Sequence, residues 1–327
     1  MKHLAIFFAI LAAAGSPLAQ GEGPADETRI ALRSEFLHMI NHDRAASGLP
    51  PVQLDPEASA VADTYCKAQI RNRTTGHFTT DGLAPYMRYS FAGGNDGVSE
   101  NAAAWSAAYR FSDRSLFDMI RKSEDAMMHE PPGHDGHRRT LLDPYATHVG
   151  IGLAWEGGEF RLTQEFIRRY VEWKRPLPRG ATVGEQILAR GKPLPGYRIE
   201  AISIHHEPLP RPLSVQAANL IDSYSLPDQR HDYLPRLRGT FFQRHPDGAL
   251  YEVREEYADG RRGDFSVSRD GTFSFDVPFS DGPGIYTVVV WVRANGNDKM
   301  TPIAASNVSI RVDRPAGDFT FAGGGTR

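Results

Sequence analysis

The chain has 327 residues, 40% of them hydrophobic, and a formal net charge of -3. That length suits two domains of ordinary size, and the near-neutral balance offers no broad basic field of the kind nucleic-acid binding needs. The single cysteine, Cys66, cannot close an internal disulfide, so the fold must rest on packing.

Met1 to Ala19 reads as a secretory signal: Lys2 and His3, an apolar run from Leu4 to Ala14, then small residues before Gln20. This places the mature chain outside the cytoplasm, secreted or periplasmic. No later run reaches about eighteen apolar residues, so an integral membrane protein is not expected. After a polar stretch from Gly21 to Glu27, Leu32, Phe36, Met39 and Ile40 recur at helical spacing, and Gly48, Pro50 and Pro51 stop that helix. Asp55 is an N-cap with Pro56 at the first helical position. The helix it opens carries Cys66 on one stripe with Ala58, Ala62 and Ile70, which predicts a buried thiol. Thr79 to Val98 is rich in glycine and turn residues and reads mostly as loop. Leu116, Ile120 and Met127 suit a helix over 115–128 that Pro131 and Pro132 end. Then the period changes, and Val149 to Trp155 and Phe160 to Phe166 flank Glu156-Gly157-Gly158-Glu159 as a hairpin.

Helices that need a sheet, followed by strands, argue a layered α/β domain over residues 26–173. The run Lys174-Arg175-Pro176-Leu177-Pro178-Arg179-Gly180 opens an expected stiff linker over 174–186. Beyond it, 197–204, 264–268, 272–277, 286–292 and 307–312 read as strands, with Arg269-Asp270-Gly271 as a hairpin turn and no convincing helix. The expectation is a Greek-key β-sandwich, immunoglobulin-like, over 187–313. The glycine-rich tail, 314–327, reads as disordered.

Four distant residues carry most of the functional signal: His77 in Gly76-His77-Phe78-Thr79, Glu100 in Ser99-Glu100-Asn101, Glu130 in Met127-Met128-His129-Glu130, and His137 in Gly136-His137-Arg138-Arg139. Two imidazoles and two carboxylates gathered in one cleft could hold a divalent metal or a water. Their separation along the chain fixes no local geometry.

Read in order, Asn41-His42-Asp43-Arg44-Ala45-Ala46-Ser47-Gly48-Leu49-Pro50, Leu54-Asp55, Gly76-His77, Ser99-Glu100-Asn101, Gly136-His137-Arg138-Arg139-Thr140-Leu141-Leu142-Asp143-Pro144 and Thr147-His148-Val149-Gly150-Ile151-Gly152 resemble the CAP (SCP-like) superfamily of cysteine-rich secretory, antigen 5 and pathogenesis-related proteins. The resemblance spans about Ile30 to Phe166, and its Gly-His-Arg and Val-Gly-Ile-Gly forms are similar to the bacterial branch. It implies an α-β-α sandwich whose central cleft collects the four residues. His77 matches the first family histidine, Glu100 the acid before asparagine, and His137 the second histidine. Glu130 matches the acid of Trp-x-x-Glu, with Met127 where tryptophan usually stands and Glu124 as its rival. Thr140 departs from the asparagine common in bacterial relatives, and the stapling cysteines of many eukaryotic ones are absent. His77 and His137 would be the metal ligands. A zinc site with two protein ligands, short of the usual three, would be weak. His134 and Asp135 could add a further ligand from the same loop.

Asn41 and Arg44 are expected to tie the first helix to neighbouring loops. Arg168, Arg169, Lys174, Arg175 and Arg179 form a basic cluster, either a solvated strand end and linker or a contact to an anionic envelope. Three functions follow. The favoured one is a secreted module that binds a lipid, sterol or envelope ligand, the metal being structural or modulatory, as the resemblance suggests. The second is a zinc-dependent hydrolase in which Glu100 or Glu130 activates a metal-bound water. The third is an extracellular interaction protein acting through the β-sandwich. Neither a Gly-x-Ser-x-Gly elbow nor a His-Glu-x-x-His helix is present, which weighs against the enzyme.

Overall fold

The structure, a computed structural model, describes residues 24–237 and 239–315. The expected signal segment and the tail from residue 316 lie outside the described residues. An α-helical N-terminal region is followed by a β-rich C-terminal one.

The first helix, α1 (Pro24–Ala46), ends before Gly48, whose φ of +72° a side chain would resist. Strand β1 (Gln53–Leu54) leads to α2 (Pro56–Asn72), where the Asp55 carboxylate accepts the Ala58 N–H at 2.9 Å. The stretch read as loop contains a short helix, α3 (Pro85–Phe91), opened by a proline whose fixed φ suits the first turn. Strand β2 (Gly97–Ser106) takes up the alanine-rich segment after Glu100, and α4 (Asp113–Met128) starts on a reciprocal cap between Ser112 and Ser115. Then come α5 (Gly136–Leu141) and the expected hairpin, β3 (His148–Glu156) and β4 (Glu159–Arg168).

These strands form one sheet in the order β1-β3-β4-β2, with β1 parallel to β3 and the other pairs antiparallel. Because side chains alternate along a strand, the sheet buries two different faces. Val149, Ile151, Leu162 and Phe166 pack with Leu32 and Phe36 of α1 and with Leu116 and Ile120 of α4. On the opposite face a Cβ at Gly150 or Gly152 would lie 2.5 Å or 2.3 Å from the backbone of Ala58 or Ala62, so the Val-Gly-Ile-Gly sequence is what lets α2 lie against β3. Cys66 is fully buried there, its thiol donating to Thr163 Oγ1 at 3.3 Å, and burial pushes its pKa up to about 12. Arg44 is buried and donates to the carbonyls of Pro50, Leu141 and Asp143 at 2.8–3.0 Å, while the Asn41 amide exchanges two hydrogen bonds with the Val52 backbone.

The C-terminal region runs through β5 (Val171–Arg175), β6 (Gly180–Thr182), β7 (Gln186–Pro193), β8 (Tyr197–Glu207), α6 (Val215–Leu220), β9 (Arg230–Tyr233), β10 (Thr240–Arg244), β11 (Leu250–Arg254), β12 (Ser266–Val267), β13 (Phe273–Pro278), β14 (Gly284–Ala294), β15 (Ile303–Ala304) and β16 (Val308–Asp313). One sheet has the order β12-β13-β7-β5 and a second the order β6-β16-β14-β8-β9, with β15 on β14. Phe273, Phe275 and Val277 of the first and Ile202, Val288, Val290 and Ile310 of the second share one apolar core. β10 and β11 form a separate ribbon. The stretch expected as a linker carries β6, which pairs with β16, and Leu177, which is buried in the same core; apolar burial and strand pairing draw it into the fold.

The two regions meet along the free edge of β2. The Asn307 side chain accepts from Val98 N–H at 3.1 Å and donates to Val98 C=O at 3.0 Å, as a neighbouring strand would. Four members of the basic cluster have partners within the chain: Arg168 with Asp143 at 2.6 Å, Arg169 with Asp55 and Asp96 at 2.6 and 2.8 Å, Lys174 with Glu172, and Arg179 with Asn95 Oδ1 at 2.7 Å.

Candidate functional site

Glu100 and Asn101 are successive residues of β2, so their side chains leave opposite faces of the sheet. Glu100 points beneath α2 and α3, where His77 Nδ1 lies 2.8 Å from its Oε1 and the Arg88 guanidinium meets Oε2. A carboxylate only accepts hydrogen bonds, so the His77 Nδ1 carries a proton toward it. Burial alone would raise the Glu100 pKa, but the charge of Arg88 and the His77 N–H hold it below the usual carboxylate range. Arg88 is itself fixed, donating to the His77 carbonyl at 2.5 Å and lying with its Cζ 3.6 Å from the centre of the Tyr65 ring. Glu165 faces Glu100 across the β2–β4 ladder, 3.9 Å from Arg88. Burial, together with the negative charge of Glu100, pushes its pKa well up, which favours the neutral acid, and among the described residues neither of its carboxyl oxygens has a hydrogen-bond partner.

The second pair lies across the sheet. Glu130 accepts the His137 backbone N–H at 2.9 Å and also meets His137 Nδ1, closing the start of α5. Asn101, on the α4 side of β2, donates to the His137 carbonyl at 3.1 Å and to Gln164 at 3.0 Å, and Gln164 donates to Glu124 at 3.3 Å. Glu124 is buried, and burial with the nearby Asp43 charge raises its pKa to about 8.

The sheet therefore divides the expected cleft. His77 pairs with Glu100 on one face, and His137 pairs with Glu130 on the other. Among the described residues no three histidine, cysteine, aspartate or glutamate side chains gather closely enough to hold a metal ion. The expectation of a two-histidine, two-glutamate metal cleft is corrected accordingly. So are zinc as cofactor, His77 and His137 as its ligands, His134 or Asp135 as a third, and the zinc hydrolase built on them. The physical reason is that each histidine has its own acid and each acid a second duty, Glu100 to a buried arginine and Glu130 to a helix start.

Sequence reasoning missed Arg88, Glu165 and Tyr224. Arg88 lay in a segment read as loop, and Glu165 lay in the second strand of the expected hairpin with no motif to mark it. The Glu100↔Glu165 register required β2, which the alanine run concealed. Tyr224 comes from the C-terminal region: its ring meets His77 edge-on with centroids 4.9 Å apart, and its oxygen accepts the Glu100 N–H at 2.5 Å.

Beside Arg88 a groove of about 670 Å³ opens between α2 and α3, lined by Val61, Tyr65, Ala68, Leu83, Arg88 and Phe91 among others. Among the described residues, Arg88 Nε is buried without an acceptor.

Residues 37–166 match the model of the CAP, cysteine-rich secretory protein family. The chain carries a CAP domain. Solved structures similar to it include an extracellular protein containing an SCP domain from Bacillus anthracis (19% identity, 46% of this chain and 45% of that one, TM-score 0.32). An outer surface protein from Borrelia burgdorferi is 18% identical over 44% of this chain and 95% of that one, with TM-score 0.35. A cysteine-rich secretory protein from Staphylococcus aureus is 17% identical over 45% of this chain and 41% of that one, with TM-score 0.30. The chain thus spans less than half the length of the Bacillus and Staphylococcus proteins. No curated protein matches it. Both histidine–glutamate pairs fall inside the CAP domain, and Tyr224 reaches it from outside.

Proposed function

We propose that the chain is an extracellular binding protein that holds an apolar or amphiphilic envelope molecule in the groove between α2 and α3. The observation that carries this reading is the groove itself: a mostly apolar concavity of about 670 Å³, of the size that suits a small-molecule ligand, with Arg88 as the cationic residue in its lining. Location outside the cytoplasm is supported by the signal-like first nineteen residues and by the secretory family that residues 37–166 match. Among the described residues no helix is long and apolar enough to cross a membrane.

The finer fold belongs to the same reading. Helices on both faces of the β1-β3-β4-β2 sheet support an α-β-α sandwich, and the shared core of the two C-terminal sheets supports an immunoglobulin-like sandwich beginning near residue 171.

The test is a titration of the purified chain with cis-parinaric acid, a fluorescent fatty acid, and with a fluorescent sterol. Saturable binding of one molecule per chain is expected for at least one of them. Fluorescence that rises without saturation for both would refute the reading.

A second function, contact through the C-terminal region, is favoured by the β10–β11 ribbon, where Phe242, Leu250 and Tyr251 are 69%, 60% and 51% exposed.

A further inference from the structure

The connection between β8 and β9, residues 208–229, leaves the C-terminal region and crosses the CAP domain. Asn219 Oδ1 accepts the Thr75 N–H at 2.8 Å, the Asn219 amide donates to Arg73 C=O at 3.2 Å, and Leu213 N–H donates to Thr80 C=O at 2.8 Å. At Gly82 a Cβ would sit 2.5 Å from the Arg211 carbonyl oxygen, so the underlying loop is shaped to this segment. Yet the segment has little structure of its own. Pro208, Pro210, Pro212 and Pro227 remove backbone donors, its helix α6 has six residues, and Leu220 is 75% exposed.

Its contact with Glu100 is made by Tyr224, which is half-buried. β2 is an edge strand, so the N–H of Glu100 faces away from β4, and the Tyr224 oxygen supplies the acceptor that an adjoining strand would have supplied. The ring fills the space against His77, and Tyr86 lies 6.4 Å beyond. The Tyr224 ring is thus held by the rings of His77 and Tyr86, with the Glu100 N–H as the donor to its oxygen.

We propose that this space is a phenol-binding site that the chain fills with its own Tyr224, and that residues 208–229 are the strap that opens it. An aromatic alcohol, free or as the tyrosine of a peptide, takes the Tyr224 position when the strap lifts. The ring supplies apolar burial and edge contact with His77, and the hydroxyl supplies the acceptor that Glu100 N–H requires. The site is separate from the α2–α3 groove, and the two stand or fall independently.

The experiment uses the full chain and its Tyr224→Ala and Tyr224→Phe variants, read by amide hydrogen exchange and thermal unfolding, with p-cresol, toluene and N-acetyltyrosinamide as probes. In the wild type, the Thr75 and Glu100 amides are expected to exchange by a local opening insensitive to low denaturant. In Tyr224→Ala, p-cresol should restore Glu100 protection and raise Tm saturably, with toluene weaker by about tenfold for want of the acceptor. N-acetyltyrosinamide should do the same if a tyrosine side chain is accepted, and a response to p-cresol alone would restrict the site to free phenols. In Tyr224→Phe, which keeps the ring, Glu100 exchange should quicken about tenfold while Thr75 is unchanged. The proposal is overturned if Tyr224→Ala folds and ignores p-cresol, if Tyr224→Phe matches the wild type, or if the strap amides exchange only with global unfolding.

Discussion

Glu165 stands directly opposite Glu100 across the β2–β4 ladder, and neither side chain has any solvent exposure. One guanidinium, Arg88, serves both. Two buried carboxylates beside a single cation repel each other strongly, so one charged and one neutral carboxyl is the arrangement that electrostatics favours.

Substitution should separate their roles. Glu100→Gln leaves Arg88 charged and buried without its partner, which costs roughly 3–5 kcal/mol. Glu165→Gln keeps the shape and neutrality of the protonated acid and should cost about 1 kcal/mol. Urea denaturation of both variants checks this, and equal losses would show that Glu165 is ionised.

Glu124 predicts a pH dependence of definite sign. A carboxyl raised from 4.5 to about 8 binds its proton more tightly folded than unfolded, so its contribution is full below the unfolded pKa and is lost as pH rises toward 8. Tm should therefore show a falling component across roughly pH 5 to 8. Glu124→Gln should flatten this component, and scanning calorimetry of both proteins across the window is the check.

The close approach of α2 to β3 is tested by Gly152→Ala. The added Cβ would lie 2.3 Å from the Ala62 backbone, and relief requires the helix to move. A loss of about 1–3 kcal/mol is expected, read as a lower urea midpoint with an unchanged slope. A neutral result would mean that α2 is held less tightly.

Cys66 should be inert in the native state, since it is fully buried and its thiol titrates at about 12. Labelling with a chromogenic disulfide should proceed only as fast as the chain opens, and should accelerate with denaturant in step with unfolding. Fast labelling in buffer would contradict the packing of α2.

Much of the fold was legible because its signals are local. Asp55-Pro56 marks a helix start, the stripe through Cys66 marks a buried face, and Glu156-Gly157-Gly158-Glu159 marks a turn. β2 was not legible, because alanine has no strand preference and its pairing with β4 is made by a partner about sixty residues away in the chain. The β6–β16 pairing was hidden for a similar reason: the prolines of 174–186 describe a stiff local chain and say nothing of the partner strand β16. The motifs marked the four histidine and glutamate positions but carried no sign of the His77–Glu100 and His137–Glu130 pairings. Whether two side chains converge depends on which face of β2 each approaches, and that is decided by Arg88, Asn101 and the register with β4 rather than by the motifs themselves.

The most direct measurement is the affinity of cis-parinaric acid for Ala68→Trp, which places an indole in the α2–α3 groove, beside Lys122→Trp on the exposed side of α4 as a control. The groove account predicts that Ala68→Trp folds with wild-type Tm and binds at least about tenfold more weakly, while Lys122→Trp binds normally. Unchanged affinity in a folded Ala68→Trp protein would contradict it.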